Sequence, residues 1–190
     1  MPVQIGAQAH NFSDPTGLLS DCHRRIEMFL GTLEGVASLI DRPLTDETRV
    51  ALESALRYFR EAAPKHTADE EESLFPRLRQ MRLPDVEAAI ERLEPLEQDH
   101  FLAGALHAEV EVLGQWYIEA GRLESTGVAA FRKAIARLIS IYKQHISIED
   151  DLVFPLAARL LSSADKAAIA EEMISRRTDR RQSLSIEKDN

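Results

Sequence analysis

Residues 66–76 read HTADEEESLFP, and residues 145–155 read HISIEDDLVFP. Each stretch opens on a histidine, carries a glutamate four residues later (Glu70, Glu149) and closes on Phe-Pro at offsets nine and ten (Phe75-Pro76, Phe154-Pro155). Residues i and i+4 share one face of an α-helix, so each copy aims an imidazole and a carboxylate in the same direction. Outward from the two copies the apolar residues recur in steps of three and four, which is the helical period. One stripe runs Leu52, Leu56, Phe59, Ala63, His66, Glu70, Leu74, and the other runs Phe131, Ile135, Leu138, Tyr142, His145, Glu149, Leu152. A similar stripe precedes each: Leu19, His23, Ile26, Leu30, Leu33, Ala37, Ile40, and then Val86, Ile90, Leu93, Glu97, His100, Gly104, His107. His23 leads His66 by 43 residues and His100 leads His145 by 45, so the chain reads as two related helical hairpins.

Punctuation supports the division. Asp14-Pro15 has the form of an N-cap followed by a first-turn proline, Thr45 and Ser162-Ser163 are further cap candidates, and Leu83-Pro84-Asp85 opens the third segment. Asp41-Arg42-Pro43 ends the first helix, and residues 120–127 form a turn. Pro64 is expected to restart the second helix just before His66, and Pro95 to kink or break the third. A short fifth helix is expected near residues 164–176, and residues 178–190, without apolar periodicity, are expected to form a loose tail. Four long amphipathic segments with short connections predict an all-α fold. Its form is an antiparallel up-and-down four-helix bundle with a short C-terminal fifth helix, in one domain spanning residues 14–177.

Composition narrows the functions. Forty-four per cent of the 190 residues are hydrophobic, enough for a real core. The 23 Lys and Arg against 32 Asp and Glu give a net charge of −9, the wrong sign for a nucleic-acid binder, which needs a basic face for phosphates. No stretch approaches the roughly 18 apolar residues of a membrane span, and no secretory signal is visible, so the expectation is a cytoplasmic protein. The single cysteine, Cys22, excludes an internal disulfide, a cysteine-based zinc site and an iron–sulfur cluster held by this chain alone.

The chemistry lies in polar residues placed where the core should be. His23, His66, His100 and His145 fall one to a stripe, with Glu70 and Glu149 among them. Two ionised carboxylates inside an apolar bundle are costly unless paired, and no Lys or Arg shares their level on these stripes. Divalent metal ions would supply the positive charge, with neutral imidazoles and carboxylates as their ligands. The two hairpins, docked, would gather four histidines and two glutamates around one centre.

The order His, then His-x-x-x-Glu-x-x-x-x-Phe-Pro, then His, then the same motif again resembles the hemerythrin-type HHE cation-binding domain, over roughly residues 14–160. The resemblance implies a four-helix bundle holding a non-heme, oxo- or hydroxo-bridged di-iron centre, so two iron ions. It makes His23, His66, His100 and His145 terminal ligands, and Glu70 and Glu149 carboxylates bridging the two ions. Manganese or a mixed centre would suit the same donors. Oxygen carriers of this type place a second histidine one turn after the first on the third helix. Here that position is Gly104, and His107 lies seven residues on, about 10 Å along the axis. His107 is thus a reserve ligand or a residue beside the centre, and the gap leaves room for water or an incoming small molecule.

Other residues have plainer readings. Glu97 forms a single Glu-x-x-His with His100, and Asp99 is expected to be solvated or to orient a ligand. Asp69, Glu71 and Glu72 read as a wet face, as do Asp150 and Asp151, and His10 is expected to be exposed. Cys22 and Tyr142 read as packing residues, the latter one turn before His145. The function expected is that of a di-iron protein binding or reacting with O2, NO or peroxide. The alternatives are iron storage or donation, iron–sulfur repair, or a metal-free structural bundle. The partner expected is a small diatomic or peroxide ligand, with no nucleic acid and no membrane.

Overall fold

In the computed structural model, residues 10–81 and 84–186 are described, and every regular element among them is helical. Helix α1 spans Pro15–Leu39, α2 Asp46–Glu61, α3 Ala63–Ala68, α4 Phe75–Gln80, α5 Pro84–Ala120, α6 Ser125–Ile148, α7 Phe154–Leu160 and α8 Ser163–Ile186. Two π-helical turns, Asp69–Leu74 and Glu149–Val153, join α3 to α4 and α6 to α7. Helix α1 packs against α2 and α6, and α5 packs against the same two, so successive long helices are neighbours around a four-helix ring. Helix α8 lies outside the ring, against α1, α3 and the first π turn.

The caps form where the sequence places them. Asp14 Oδ1 accepts from Gly17 N–H at 3.0 Å, Thr45 Oγ1 accepts from Thr48 N–H at 3.2 Å, and Ser162 Oγ accepts from Asp165 N–H at 3.1 Å. Helix α5 ends on Gly121, whose φ of 73° suits a residue without a Cβ. Its N–H donates to Tyr117 O, and its carbonyl accepts from Leu44 N–H, tying the two loops at this end together. Pro64 restarts the helix as expected, since α2 closes at Glu61 and α3 begins at Ala63. Pro95 does not break its helix, because α5 runs through it. Pro95 is exposed, so the carbonyl that loses its partner can turn to water. The fifth helix is longer than expected and carries helical backbone to Ile186, into the stretch read as a tail.

The π turns depart from the regular helices that the stripes predict. In each, the phenylalanine of the Phe-Pro pair donates its N–H five residues back to the glutamate carbonyl, Phe75 to Glu70 and Phe154 to Glu149. The proline after it has no N–H to give and would clash with the carbonyl four residues earlier in a regular α-helix. A widened turn relieves that conflict and lets the chain continue helically. The extra residue also rotates the next turn of helix, so Leu74, Phe75, Val153 and Phe154 all return to the interior.

Two apolar clusters make up most of the core, with a small third one of Val86, Ala89 and Leu156. One apolar cluster joins Ile26, Leu30, Leu33, Leu56, Phe59, Tyr117, Phe131 and Leu138. The other joins Leu19, Leu74, Phe75, Leu93, Leu96, Phe154, Ile169 and Met173. On each of α1, α3, α5 and α6 a histidine marks the boundary: His23 lies between Leu19 and Ile26, His66 between Ala63 and Leu74, His100 between Leu96 and Ala103, and His145 between Tyr142 and Val153.

Candidate metal centre

The boundary layer is built from side chains that a core normally excludes. His23, Glu70 and Glu149 are fully buried, and His66 and His145 are nearly so. Each histidine turns Nε2 inward. His66 Nε2 lies 3.1 Å from Glu70 Oε1, and His100 Nε2 lies 3.3 Å from Glu70 Oε2. His145 Nε2 lies 3.0 Å from Glu149 Oε2, and His23 Nε2 lies 3.1 Å from the same oxygen and 3.8 Å from Glu70 Oε1. Two clusters result: His23, His66, Glu70 and Glu149 in one, and His100, His145, Glu70 and Glu149 in the other. Within each, one potential ligand atom per residue lies within 4.8 Å of the others. Both glutamates belong to both clusters, so the six residues are positioned to coordinate a pair of metal ions that share two carboxylates.

The donor atoms themselves argue for metal. His23 Nε2 and all four carboxylate oxygens of Glu70 and Glu149 are buried without a hydrogen-bond partner. Short approaches without hydrogen-bond alignment leave these groups desolvated and unsatisfied, which a native interior avoids. Imidazole nitrogen and carboxylate oxygen facing one point fit divalent iron or manganese.

Two of the four outer nitrogens, those of His23 and His100, are held by a second layer of acids, whereas His66 Nδ1 has no hydrogen-bond partner. His23 Nδ1 donates to Asp150 Oδ1 at 2.9 Å, and Asp150 also accepts from Ser20 Oγ and pairs with Arg24. His100 Nδ1 donates to Glu71 Oε1 at 2.8 Å. Asp99 Oδ2 stands 3.7 Å from His145 Nδ1, which remains without a hydrogen bond. Such acids fix the tautomer that leaves Nε2 free to ligate. Asp150 and Glu71 thus depart from the expected wet face. The signal for them was the repeat itself, since each follows its glutamate at offset five from the motif histidine. The wiring crosses over: Glu71 of the first copy serves His100 of the second hairpin, and Asp150 of the second serves His23 of the first.

Charge is balanced by protons when these side chains are alone. Burial disfavours a charged His23, but Asp150, Glu149 and Glu70 around it outweigh that and hold its pKa up at about 11. His100 is raised to about 9 in the same way, chiefly by Glu70 against the effect of burial. Burial pushes His66 down to about 4. Glu70 and Glu149 resist burial and stay ionised because the imidazoles face them. Cations entering this site would release the imidazole protons.

Five other expectations are corrected or placed. Asp69 is not wet; it is fully buried. Arg176 Nη1 reaches Asp69 Oδ1 at 2.9 Å, and Arg177 Nη2 reaches Oδ2 at 2.6 Å. The π turn and the arginines of α8 together bring it inside. Glu97 stands outside both clusters and pairs with Arg79 at 2.7 Å, because α5 faces inward through Leu93, Leu96, His100 and Ala103. His107 also stands outside both clusters. Its Nε2 shares a hydrogen bond of 3.1 Å with Tyr142 Oη, and its ring stacks on Phe59 at 4.2 Å. Cys22 is free and buried, and His10 is exposed beside Asp21.

Bundle, duplicated motif and paired His/Glu clusters together define a class of helical metal-binding proteins. The profile of the Hemerythrin HHE cation binding domain matches residues 14–157, and the chain belongs to this family. A protein of Haemophilus influenzae, named "Uncharacterized protein", is 28% identical over 179 residues, which is 93% of this chain and 98% of that one.

Proposed function

We propose that the protein is a non-heme di-iron protein whose centre binds or reacts with O2, NO or peroxide. His23 and His66 would hold one ion, His100 and His145 the other, and Glu70 and Glu149 would bridge them. The observation that carries this reading is the sharing of both glutamates by both clusters, with their oxygens otherwise unsatisfied. A single-ion site would need only one cluster, and a structural polar layer would satisfy its own oxygens. Ferrous ions would supply the electrons that such small ligands accept. The chain's own contribution is to hold His23 by Asp150 and His100 by Glu71 and to seat the layer between two apolar clusters.

With two histidines and two shared carboxylates per ion, the donor set leaves coordination positions for an exogenous ligand. Gly104, one turn beyond His100, adds no side chain there. No helix among the described residues is long and apolar enough to cross a membrane, and a cytoplasmic location belongs to the same proposal.

Metal content per chain tests the reading, together with the visible spectrum before reduction, after reduction and after re-exposure to air. Two irons per chain and an absorption that bleaches and returns are expected. One ion or none, with stability unchanged by a chelator, would refute it.

A further inference from the structure

Beside the candidate centre a cavity of about 390 Å³ opens between α2, α3, α5 and α6. A diatomic molecule needs roughly the 30 Å³ that one water takes in the liquid, and a dry cavity of about 150 Å³ already admits benzene. The space is therefore about ten times what the proposed small ligands require. Its walls are mostly apolar: Leu56, Phe59, Ala103 and Val110 contribute, with His107 and Tyr142 at the side toward the histidine layer and His100 on the boundary.

We propose that this cavity binds a neutral, largely apolar organic molecule about the size of a substituted benzene ring, with one hydroxyl that hydrogen-bonds to the His107–Tyr142 pair. Arg60 and Glu111 in the cavity wall are paired with each other at 2.7 Å, and His100 at its boundary faces the carboxylates of Glu70 and Glu71, so no unpaired charge is left to select an ion. Burial holds His107 neutral near pH 7, with a pKa of about 4. The Tyr142 hydroxyl has one donor and two acceptor sites and spends one of them on His107, so capacity remains for a ligand hydroxyl. Phe59, stacked on His107, puts an aromatic ring in the cavity wall for edge or face contact with a bound ring. A Cβ built on Gly104, which lines the cavity, meets nothing within 4 Å. Small residues on α5 thus keep open a space that a larger side chain would fill. The inference stands on the cavity and holds whether or not metal is bound.

The test is a fluorine NMR titration of 4-fluorophenol into the purified full-length protein, with metal content measured on the same samples. Fluorobenzene and 4-fluorobenzoate serve as comparisons. Saturable binding of 4-fluorophenol with Kd at or below about 1 mM is expected, with 4-fluorobenzoate weaker. Gly104→Leu, which adds a side chain to the cavity wall and favours the helix, should weaken both neutral probes several-fold. Tyr142→Phe should weaken 4-fluorophenol several-fold and leave fluorobenzene unchanged. No saturable binding, equal binding by the folded Gly104→Leu protein, or preference for the benzoate would overturn the proposal. Binding without metal refutes the centre alone, whereas two irons without binding refute the cavity alone.

Discussion

Asp69→Asn should cost the protein about 3 kcal/mol of stability, although it only exchanges an oxygen for an amide nitrogen on a residue that touches no proposed ligand atom. Asp69 is fully buried and accepts from Arg176 and Arg177 on α8, whose side chains are 18% and 28% exposed. Removing one partner of a buried ion pair costs about 3–5 kcal/mol, because the other charge is left desolvated and unpaired. Two features set the value here at the lower end. Both guanidinium groups reach solvent, and Arg176 keeps Ser73 Oγ at 2.8 Å and Glu72 at 3.1 Å. For a chain of this length about 3 kcal/mol corresponds to a fall in Tm of roughly 6–12 °C. Asparagine keeps the volume, so no cavity adds to the effect. Urea denaturation of the two proteins, followed by circular dichroism, measures the difference. Glu53→Gln provides the control, since its pair with Arg49 is long and exposed and should be worth less than about 0.5 kcal/mol. A change below about 1 kcal/mol for Asp69→Asn would refute the reasoning and place Asp69 with ordinary surface pairs.

Three further outcomes are expected. Glu149→Ala removes a donor from both clusters and should leave less than about one metal per chain, whereas His66→Ala should retain about one; equal losses by elemental analysis would contradict the shared-carboxylate arrangement. Asp150→Ala should weaken metal binding about 10- to 100-fold in a chelator competition, and the exposed Asp151→Ala should not. His107 is half-buried and neutral, with its pKa lowered by that burial from 6.5 to about 4. The unfolded chain therefore takes up a proton there before the folded one does. The corresponding stability is intact above pH 6.5 and falls by up to about 1.4 kcal/mol per pH unit between 6.5 and 4. Over that range the wild type should lose more stability than His107→Gln, and parallel urea midpoints would count against a neutral buried imidazole.

The ring of long helices was legible because periodicity and caps agreed. The stripes of α1, α2 and α6 appear in the core almost residue for residue, and Asp14, Thr45 and Ser162 cap where they stand. The six clustered residues were legible for a related reason, since His and Glu on apolar stripes have few other uses. Helix α5 was harder. Two stripes, one through Ile90, Glu97 and Gly104 and one through Ala89, Leu96 and Ala103, run side by side along it, and packing chose the second. That choice carried Glu97 out to Arg79. The π turns were hidden because their hydrogen bonds depend on backbone geometry, although the repeated Phe-Pro marked both places. The acids at offset five recur in both copies of the motif, but their role was hidden because their partners sit on the opposite hairpin. Asp69 was hidden in the same way, with its arginines more than a hundred residues away on α8.

The crossed support of His23 and His100 has a consequence for how the two halves depend on each other. Each hairpin lends its acid to its counterpart and borrows one in return, so neither is furnished when alone. A lesion at Asp150 would be felt on α1, and one at Glu71 on α5, far along the chain from the changed residue. The halves behave as two parties to a mutual pledge: they must be docked before His23 or His100 is oriented.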